Sequence, residues 1–398
     1  MNRKPLYAAE GFKEIRKAAA LGRRFCLAGT ARGRENAMKQ ATGARRAAVA
    51  MSGGVDSSVA ALLLAQAGWA CTGVTLRLYA GADAAPDGAR TCCSLEDVED
   101  ARAVARRLGI RHYTFNFTEA FERDVIGRFV QGYLAGETPN PCIDCNKHIK
   151  FSALLRRAQL MGCTHVATGH YARIVRGTNG RMLLQTGLDA GKDQSYMLYG
   201  MTQRELAHTL FPLGALTKAE VRALALENGF GNARKRDSQD ICFIPDGDYA
   251  GFIEKYTGRT YPSGYFTDRE GNILGEHRGI IHYTIGQRKG LGLALKKPMY
   301  VQELDMERNR VILGDNADLF TREFDAKDFN WIATDTPASD IRAKARIRYK
   351  HKEADATIVP TGPDTVHVIF DEPQRAITRG QSVVLYDGDY VIGGGTIC

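Results

Sequence analysis

The residues of this 398-residue chain that are best suited to chemistry lie in a glycine loop at positions 52–58. The loop has the sequence Ser-Gly-Gly-Val-Asp-Ser-Ser and stands between a short apolar run and a segment rich in Ala and Leu. Two adjacent glycines let the backbone turn tightly and come close to a phosphate group. The N–H groups at the start of the following helix attract an anion. The loop therefore predicts a phosphate-binding site.

Side chains of the same loop extend this prediction. Ser52, Ser57 and Ser58 offer hydroxyl donors, and Asp56 is a candidate ligand for a magnesium ion that bridges phosphates. The chain lacks the pattern Gly-x-x-x-x-Gly-Lys-Ser/Thr, which excludes a Walker-type NTPase. A glycine turn alone would indicate connection geometry, whereas three serines and an aspartate in this order favour a nucleotide site.

Spaced cysteines are the second candidate for chemistry. Cys142 and Cys145 form a Cys-x-x-Cys pair behind two prolines, which predict an extended loop before a helix. A helix start and the nearby Lys147 both lower a thiol pKa and favour the thiolate. Cys242 has apolar neighbours, which by themselves are more typical of a buried core residue. Cys92-Cys93 is interpreted as a packed pair before a helix rather than a redox pair.

A row of cations is the third candidate, because basic and apolar residues alternate between positions 341 and 350. In a strand this period of two places all the cations on one face. Like charges in a row repel one another, so an anionic nucleic-acid partner is favoured over a merely solvated face. The cations are Arg342, Lys344, Arg346, Arg348 and Lys350.

The elements that must position these residues alternate between strand and helix. Residues 47–51, 73–76, 112–117 and 164–168 are apolar runs that predict buried strands. Helical stripes lie between them, and one begins after Ser94, which has Asp97 three residues on. This alternation predicts an α/β fold with a doubly wound parallel sheet covered on both faces.

The pattern changes near residue 212. Thr217 and Glu220 form a capping box that opens a helix, followed by a short mixed region. Beyond it, short alternating segments at 279–284, 310–313, 365–370 and 382–386 predict a C-terminal β-barrel. The predicted parts are a basic N-terminal extension at 1–46, a phosphate-binding domain at 47–212, a central linker domain at 213–265 and the barrel at 266–398.

Composition limits the classes of protein. The chain has a net charge of +9, and residues 1–46 alone carry twelve Lys/Arg and three acidic residues, so the remainder is neutral. A basic tail, an organelle transit peptide and an RNA-gripping arm all remain open for this segment. No apolar run approaches the ~20 residues of a membrane span. Nine cysteines, an odd number in a long chain, exclude a disulfide scaffold, so we expect a cytoplasmic protein.

The glycine loop resembles the pyrophosphate-binding loop of the N-type ATP pyrophosphatases. This resemblance implies that ATP is split between its α and β phosphates and that AMP is placed on a substrate oxygen. It assigns the domain at 47–212 to that class and implies Mg²⁺ beside ATP. The positions that match ATP contacts are Ala50, Met51, Ser52, Gly53, Gly54, Val55, Asp56, Ser57, Leu76 and Gly169.

Several longer motifs resemble those of the tRNA-specific 2-thiouridylase family. They are Asn140-Pro141 with Cys145, Ala-Thr-Gly-His-Tyr at 167–171, Gly-Lys-Asp-Gln-Ser-Tyr at 191–196, the Cys242 segment and Tyr-Thr-Ile-Gly-Gln-Arg-Lys-Gly-Leu-Gly at 283–292. The similarity runs from about Arg46 to the C-terminus. It implies that ATP adenylates the C2 oxygen of the wobble uridine, position 34 of certain tRNAs, and that sulfur replaces this oxygen to give 2-thiouridine.

The resemblance also implies residue roles. Cys242 matches the cysteine that carries a persulfide, and Cys145 matches the nucleophile that helps to release its sulfur. Asn140, Pro141 and Cys142 match the segment that touches the target base. The implied partners are tRNA and a sulfur-donor protein such as a cysteine desulfurase or a relay protein, with no membrane. Positions that match tRNA contacts are His170, Lys192, Asp193, Gln194, Arg348, Tyr349 and Gln381.

Cys142 departs from the family pattern, since many members have aspartate there. The substitution leaves three thiols, at Cys142, Cys145 and Cys242, that would suit a 4Fe–4S cluster with one iron open to bind sulfide. The persulfide and cluster routes both remain open at this point. A structural zinc is less favoured because no fourth ligand is evident.

Two rival functions also remain. One is an adenylating ligase with the same loop and a nitrogen nucleophile, against which the thiols at Cys145 and Cys242 argue. The other is a non-catalytic tRNA-binding protein, against which the intact Ser/Asp loop argues.

Overall fold

A computed structural model describes residues 45–79, 94–237 and 241–398. Residues 1–44 and the pair Cys92-Cys93 lie outside these ranges, so the predictions for them concern undescribed residues. The strands are β1 Arg46–Ala50, β2 Ala70–Arg77, β3 Arg111–Asn116, β4 His165–Ala167, β5 Ala172–Arg176, β6 Met182–Thr186, β7 Thr209–Leu210, β8 Gly264–Thr267, β9 Ile273–His277, β10 Tyr300–Asp305, β11 Arg310–Gly314, β12 Phe320–Trp331, β13 Ile341–Arg346, β14 Ala354–Pro360, β15 Val366–Arg375, β16 Ser382–Asp387 and β17 Tyr390–Ile397.

The α-helices are α1 Val55–Gln66, α2 Leu95–Leu108, α3 Thr118–Phe121, α4 Gly127–Leu134, α5 Pro141–Asp144, α6 Leu154–Leu160, α7 Gln203–Ala207, α8 Lys218–Glu227 and α9 Tyr249–Thr257. Two π-helical segments, Glu122–Ile126 and Cys145–Ala153, adjoin them. Turns of 3₁₀-helix lie at Ser195–Leu198, Gly231–Arg234, Ile280–His282 and Asn316–Leu319. Among the described residues, no helix is long and apolar enough to cross a membrane.

The chain divides into two compact units, each built from three separate stretches. The first unit contains the described residues of 1–119, 147–195 and 201–239, and the second those of 120–146, 196–200 and 240–398. The domain boundaries predicted at residues 46, 212 and 265 stay predictions.

A five-stranded parallel sheet forms the centre of the first unit, in the order β3-β2-β1-β4-β7. Ala47, Ala48 and Val49 of β1 are completely buried, as expected for a parallel strand covered on both faces. The chain runs outward from β1 to β2 and β3, then returns on the other side of β1 as β4. This reversal is a topological switch point, where such sheets bind ligands. The predicted α/β fold is confirmed.

Helix α1 packs in the core of this unit because it is apolar nearly all round. Val59, Leu63 and Leu64 are fully buried, and they share one apolar cluster with Val104 of α2 and Val221 of α8. Local signals in the sequence define the ends of the neighbouring helices. Capping boxes begin α2 at Ser94 and α8 at Thr217, as predicted, and Gly109 in the left-handed conformation ends α2.

Strands of the second unit form a closed barrel and a separate small sheet. The barrel has the strand order β12-β15-β14-β13-β16-β17, and antiparallel pairing of β12 with β17 closes it. Its core contains Phe370, Val383 and Leu385, all fully buried. The other sheet has the order β10-β11-β8-β9. The predicted C-terminal β-barrel is therefore confirmed.

The prediction of a strand at 279–284 is wrong, because residues Ile280–His282 form a 3₁₀ turn. Ile280 and Ile281 are both buried, with 5% and 4% exposure. Consecutive residues of a strand point to opposite faces, so a half-exposed strand would not bury both.

Candidate functional site

The predicted phosphate loop lies at the carboxyl end of β1, beside the switch point. Gly53 has φ +76°, and a Cβ atom there would collide with the backbone of Asp97. Gly54 caps α1 in an extended conformation, and no side chain caps the helix. The first N–H groups of α1 are therefore not capped by a side chain, which leaves them available to an anion.

Hydroxyl groups of the loop act mainly within the loop. Ser57 Oγ accepts a hydrogen bond from the N–H of Ser52 (3.2 Å) and donates to the carbonyl oxygen of Gly54 (3.0 Å). Ser58 Oγ donates to the same oxygen (2.9 Å). The sequence predicts hydroxyl donors at all three serines, but the hydroxyl protons of Ser57 and Ser58 are engaged with the Gly54 carbonyl oxygen. Ser52 remains exposed at the loop surface.

Other positions that match ATP contacts lie at the same edge of the sheet. Leu76 is close to the end of β2, and Gly169 follows β4. A Cβ atom at Gly169 would lie 2.8 Å from the carbonyl carbon of Asp56 and 2.9 Å from the nitrogen of Ser57. Glycine is therefore required at 169 for the segment after β4 to lie against the loop. Met51 and Val55 point into the core, with 1% and 4% exposure.

Asp56 is held by partners that the sequence does not predict. Lys218 Nζ lies 2.7 Å and 2.8 Å from its two carboxylate oxygens, and the hydroxyl of Tyr171 donates to Oδ1 at 2.8 Å. The side chain of Lys218 is only 12% exposed. Burial and the adjacent Asp56 carboxylate raise the pKa of Tyr171, which keeps its hydroxyl protonated as a donor.

Lys218 also connects the loop to a second carboxylate, Asp237. The carboxylate of Asp237 lies 2.8 Å from Lys218, 2.7 Å from Lys192 and 3.0 Å from Arg222. Burial alone would raise the pKa of Asp237, but the hydrogen bonds from Lys192 and Lys218 lower it to about 2. Three cations thus surround one carboxylate, and one of them reaches Asp56 in the phosphate loop.

Cys142 and Cys145 lie in the first turns of a helix, as predicted. Asn140 is the N-cap, its side chain accepts from the N–H of Cys142 at 3.1 Å, and Pro141 occupies the first helical position. Cys142 is exposed, whereas Cys145 is 7% exposed. Asn140 also donates to the sulfur of Met197 at 3.4 Å. Because the helix dipole acts over the first turn, its effect is stronger at Cys142 than at Cys145.

Cys242 lies in a turn that its neighbours anchor. The ring of Phe243 packs against Phe121, Phe129 and Phe252 at centroid distances of 5.8, 5.5 and 5.2 Å. The apolar neighbours that suggested a core cysteine are themselves the buried residues, since Phe243 is 8% exposed. Cys242 is half-buried. The turn therefore holds this thiol at the border of an aromatic core.

The three thiols do not form a metal site in the described structure. Within residues 45–79, 94–237 and 241–398, no three or more His, Cys, Asp or Glu side chains are grouped so as to hold a metal ion. The 4Fe–4S cluster expected at Cys142, Cys145 and Cys242 stays a prediction.

In the first unit, residues at positions that match tRNA contacts pack against or bind neighbouring residues. The imidazole of His170 is buried against Phe151 and Phe211, and burial lowers its pKa well below the usual value. Asp193 accepts from the N–H groups of Gly187 (2.9 Å) and Ser195 (3.1 Å). The tRNA contacts expected of these two residues stay predictions.

Two more of these matches bind within the same unit. Lys192 binds Asp237, as described above, and Gln194 Oε1 accepts from the N–H of Tyr171 at 3.0 Å. These hydrogen bonds organise the turn that carries the Gly-Lys-Asp-Gln-Ser-Tyr motif. A tRNA contact for Lys192 or Gln194 likewise stays a prediction.

Matches to tRNA contacts in the second unit lie around the barrel. Gln381 donates its amide to the carbonyl oxygen of Thr138, two residues before Asn140. The ring of Tyr349 lies 6.0 Å from that of Tyr196, and Arg348 donates to the carbonyl oxygen of Arg375 at 3.0 Å. The structure thus places Gln381 beside the segment that leads to the Cys-x-x-Cys pair.

The predicted row of five cations on one strand face is wrong in its extent, because β13 ends at Arg346. Arg346 folds back and donates to the carbonyl oxygens of Tyr349 (2.9 Å) and His351 (3.1 Å), which closes a turn. Arg342 is ion-paired with Asp371. Lys344 remains as an exposed cation of β13.

A glycine loop at the switch point of a parallel α/β sheet is the arrangement of nucleotide-binding proteins, and comparison with known proteins specifies the family. A model described as "tRNA methyl transferase HUP domain" matches residues 45–246. Models described as "tRNA methyl transferase PRC-barrel domain" and "Aminomethyltransferase beta-barrel domain" match residues 250–315 and 321–397.

Curated relatives are similar along nearly their whole length. The tRNA-specific 2-thiouridylase MnmA of Clostridioides difficile is 51% identical over 355 residues, which are 89% of this chain and 98% of the relative. The proteins of that name from Acetivibrio thermocellus and Moorella thermoacetica are 51% and 54% identical, and the matches cover 89% and 88% of this chain and 99% and 98% of the relatives. The chain belongs to the tRNA-specific 2-thiouridylase family.

Proposed function

We propose that this chain is an ATP-dependent sulfurtransferase that converts the wobble uridine of tRNA, position 34, to 2-thiouridine. The observation that carries the proposal is the pyrophosphate-type loop at the switch point of a chain that matches 98% of a curated 2-thiouridylase at 51% identity. Two family models are described by methyl transfer instead. The residues favour thiolation, because the loop suits ATP and two cysteines lie in motifs of this family.

Activation of the base is the first step. The C2 oxygen of uridine attacks the α-phosphorus of ATP, the bond to the β-phosphate breaks, and pyrophosphate leaves with the electron pair. The backbone N–H groups of Gly54 and Val55, at the start of α1, bind the departing phosphates. The C2 oxygen then belongs to an adenylate and is a good leaving group.

Asp56 fits a role toward Mg²⁺, which would offset phosphate charge when bound. Magnesium in nucleotide sites is usually held by one or two carboxylates plus substrate phosphates, so a single aspartate in the loop suffices. Both oxygens of Asp56 contact Lys218 in this structure. A metal ion at Asp56 would therefore take over a position that Lys218 now occupies.

Sulfur transfer follows through Cys242. A persulfide on Cys242 attacks C2, its terminal sulfur forms the C–S bond, and AMP leaves with the former C2 oxygen. The Cys145 thiolate then attacks the Cys242 sulfur, which releases 2-thiouridine and forms a disulfide between the two cysteines. An external dithiol reduces this disulfide. Cys145 is 7% exposed, so this thiol is shielded from bulk water before the step.

The persulfide on Cys242 is the form of sulfur that we propose. A cysteine desulfurase or a relay protein supplies the persulfide, and the reaction takes place in the cytoplasm. The tRNA-facing positions that we propose are Asn140, Pro141, Cys142, His170, Lys192, Asp193, Gln194, Arg348, Tyr349 and Gln381.

The Cys242→Ala variant tests the sulfur step. We expect 2-thiouridine to fall at least about 100-fold, equivalent to about 2.7 kcal/mol of activation free energy, because the acceptor of the donor's sulfur is lost. Formation of AMP that depends on tRNA should persist, since the loop is intact. Purified protein, ATP, tRNA and a desulfurase with cysteine are combined, and nucleosides and AMP are quantified.

The matched control is Cys398→Ala, which removes an exposed thiol at the C-terminal end of the chain. It should thiolate like the wild type. Full thiolation by Cys242→Ala would contradict the sulfur step. Absence of tRNA-dependent AMP in the wild type would contradict the function itself, and formation of AMP without any thiolation would favour the ligase alternative.

A further inference from the structure

The phosphate loop contains no cation, since residues 52–58 include no Lys, Arg or His. Apart from the exposed hydroxyl of Ser52, phosphate binding by these residues must therefore rest on backbone N–H groups. The strength of such binding depends on the direction in which the N–H groups point. A peptide unit is planar and trans, so its N–H points opposite to its C=O. A hydrogen bond to a carbonyl oxygen of the loop therefore also fixes the direction of the N–H group in the same peptide unit.

Two hydroxyls hold the peptide that joins Gly54 to Val55. The carbonyl oxygen of Gly54 accepts from Ser57 Oγ (3.0 Å) and Ser58 Oγ (2.9 Å), in addition to the helical hydrogen bond from the N–H of Ser58 (3.3 Å). The N–H of Val55 therefore points away from these two side chains. The two serines that orient this peptide belong to the loop motif itself.

The preceding peptide, which joins Gly53 to Gly54, is held by Asn232, a residue far along the chain. Asn232 Nδ2 donates to the carbonyl oxygen of Gly53 at 2.7 Å and to Ser58 Oγ at 3.0 Å. The N–H of Gly54 therefore points away from Asn232, and the hydroxyl that holds the next peptide is fixed by the same amide. Both protons of the Asn232 side chain are used on the loop.

Burial makes this arrangement costly for a residue with no further role. Asn232 is 5% exposed and lies in the 3₁₀ turn Gly231–Arg234. Its Oδ1 atom is buried and has no hydrogen-bond partner in the described part of the chain. An unsatisfied buried acceptor costs about 1–3 kcal/mol. A leucine of similar size would avoid that cost, so packing alone does not explain an asparagine here.

We propose that Asn232 is a positioning residue for the phosphate loop, which aims the N–H of Gly54 at the phosphates of ATP. The inference rests on the proposed function in one respect, namely that the loop binds ATP. Asn232 acts through Gly53 and Ser58 and does not itself contact the nucleotide.

Asn232→Leu separates positioning from packing. The variant removes the unsatisfied Oδ1 but also leaves the Gly53 carbonyl oxygen without its donor; these effects are similar in size and opposite in sign, so the melting temperature should change little. The dissociation constant for ATP, measured by calorimetry on the full chain, should rise about tenfold, which is about 1.4 kcal/mol. A residue that only stabilises the fold would lose stability and ATP affinity together.

Asn228→Leu is the matched control, because Asn228 lies four residues earlier and its amide donates to the carbonyl oxygen of Leu224 rather than to the loop. Its dissociation constant for ATP should stay within about twofold of the wild type, below 0.5 kcal/mol. Asn232→Asp is a second variant, since it is isosteric, lacks the donors and sets a carboxylate against the Gly53 carbonyl. It should also weaken ATP binding.

Unchanged ATP affinity in Asn232→Leu would overturn the positioning role, and so would loss of the folded state in both Asn232 variants. Lack of ATP binding by the wild type would overturn the role together with the proposed function. If the wild type binds ATP but forms no AMP with tRNA, the proposed function fails, while a selective loss of ATP affinity in Asn232→Leu still supports the positioning role.

Discussion

Single residues that are distant from the loop in the sequence decide its electrostatics. Asp56 was predicted from the loop sequence, but Lys218 and Tyr171, which bind its carboxylate, lie 162 and 115 positions away. No short spacing marks such partners, because they meet only after the sheet and α8 have packed. The sequence therefore predicts which loop binds phosphate, whereas folding determines which cation lies beside it.

Asp237 provides a test of this charge cluster through pH. Its pKa is lowered to about 2 from an ordinary value of 3.8, so its ionised form stabilises the fold above about pH 4 and this stabilisation is lost as pH falls toward 2. Asp237→Asn should be less stable than the wild type at pH 7. The difference in urea-unfolding free energy should shrink by about half by pH 3.

Asp340→Asn is the control for this measurement, since Asp340 is an exposed aspartate near the start of β13. Its stability should match the wild type throughout. A difference between wild type and Asp237→Asn that stays constant from pH 7 to pH 3 would contradict the role of the ion cluster.

Elements were predicted best where their signals are local. The capping boxes at Ser94 and Thr217 and the apolar run of β1 each contain their own evidence within a few residues. The predicted row of five cations is wrong because the alternation of basic and apolar residues continues past Arg346, where β13 ends. The fold-back of Arg346 onto two carbonyl oxygens ends that strand, and a pattern of charges does not report it.

The revised surface of β13 gives a narrower prediction for tRNA binding. Lys344 is exposed, so Lys344→Glu should weaken tRNA binding about three- to tenfold at low salt through loss of a phosphate contact, and less at high salt. Filter binding over a salt series measures this. Lys327→Glu changes an exposed lysine of β12 and should have little effect. Equal losses in both variants would indicate bulk charge rather than this strand.

At the scale of the whole molecule, distant parts of the chain support the Cys-x-x-Cys segment. Gln381 of the barrel side donates to Thr138, and Tyr196 donates its hydroxyl to the carbonyl oxygen of Ser382 at 2.8 Å. The family resemblance identified Gln381 and Tyr196, but the sequence did not indicate which residues they contact. Contacts across 243 positions depend on barrel closure, which no local pattern contains.

Gln381→Leu tests this support. Removing the donor should loosen the segment before Cys142 and lower thiolation about tenfold, equivalent to about 1.4 kcal/mol, while ATP affinity stays unchanged. Thiolation assays and calorimetry provide the two measurements. Gln302→Leu, whose amide donates to the carbonyl oxygen of Asp315, should leave both unchanged. Normal thiolation by Gln381→Leu would show that the Thr138 contact is dispensable.

The aromatic cluster around Phe243 has a consequence for synthesis on the ribosome. Phe121 and Phe129 are fully buried, yet Phe243 and Phe252, which pack against them, are translated more than 110 residues later. At ~5–20 residues per second, Phe243 is added to the chain about 6–23 s after Phe129. During that interval the nascent chain displays unburied aromatic surface, so its yield in the cell should depend on chaperones that bind such surface until elongation is complete.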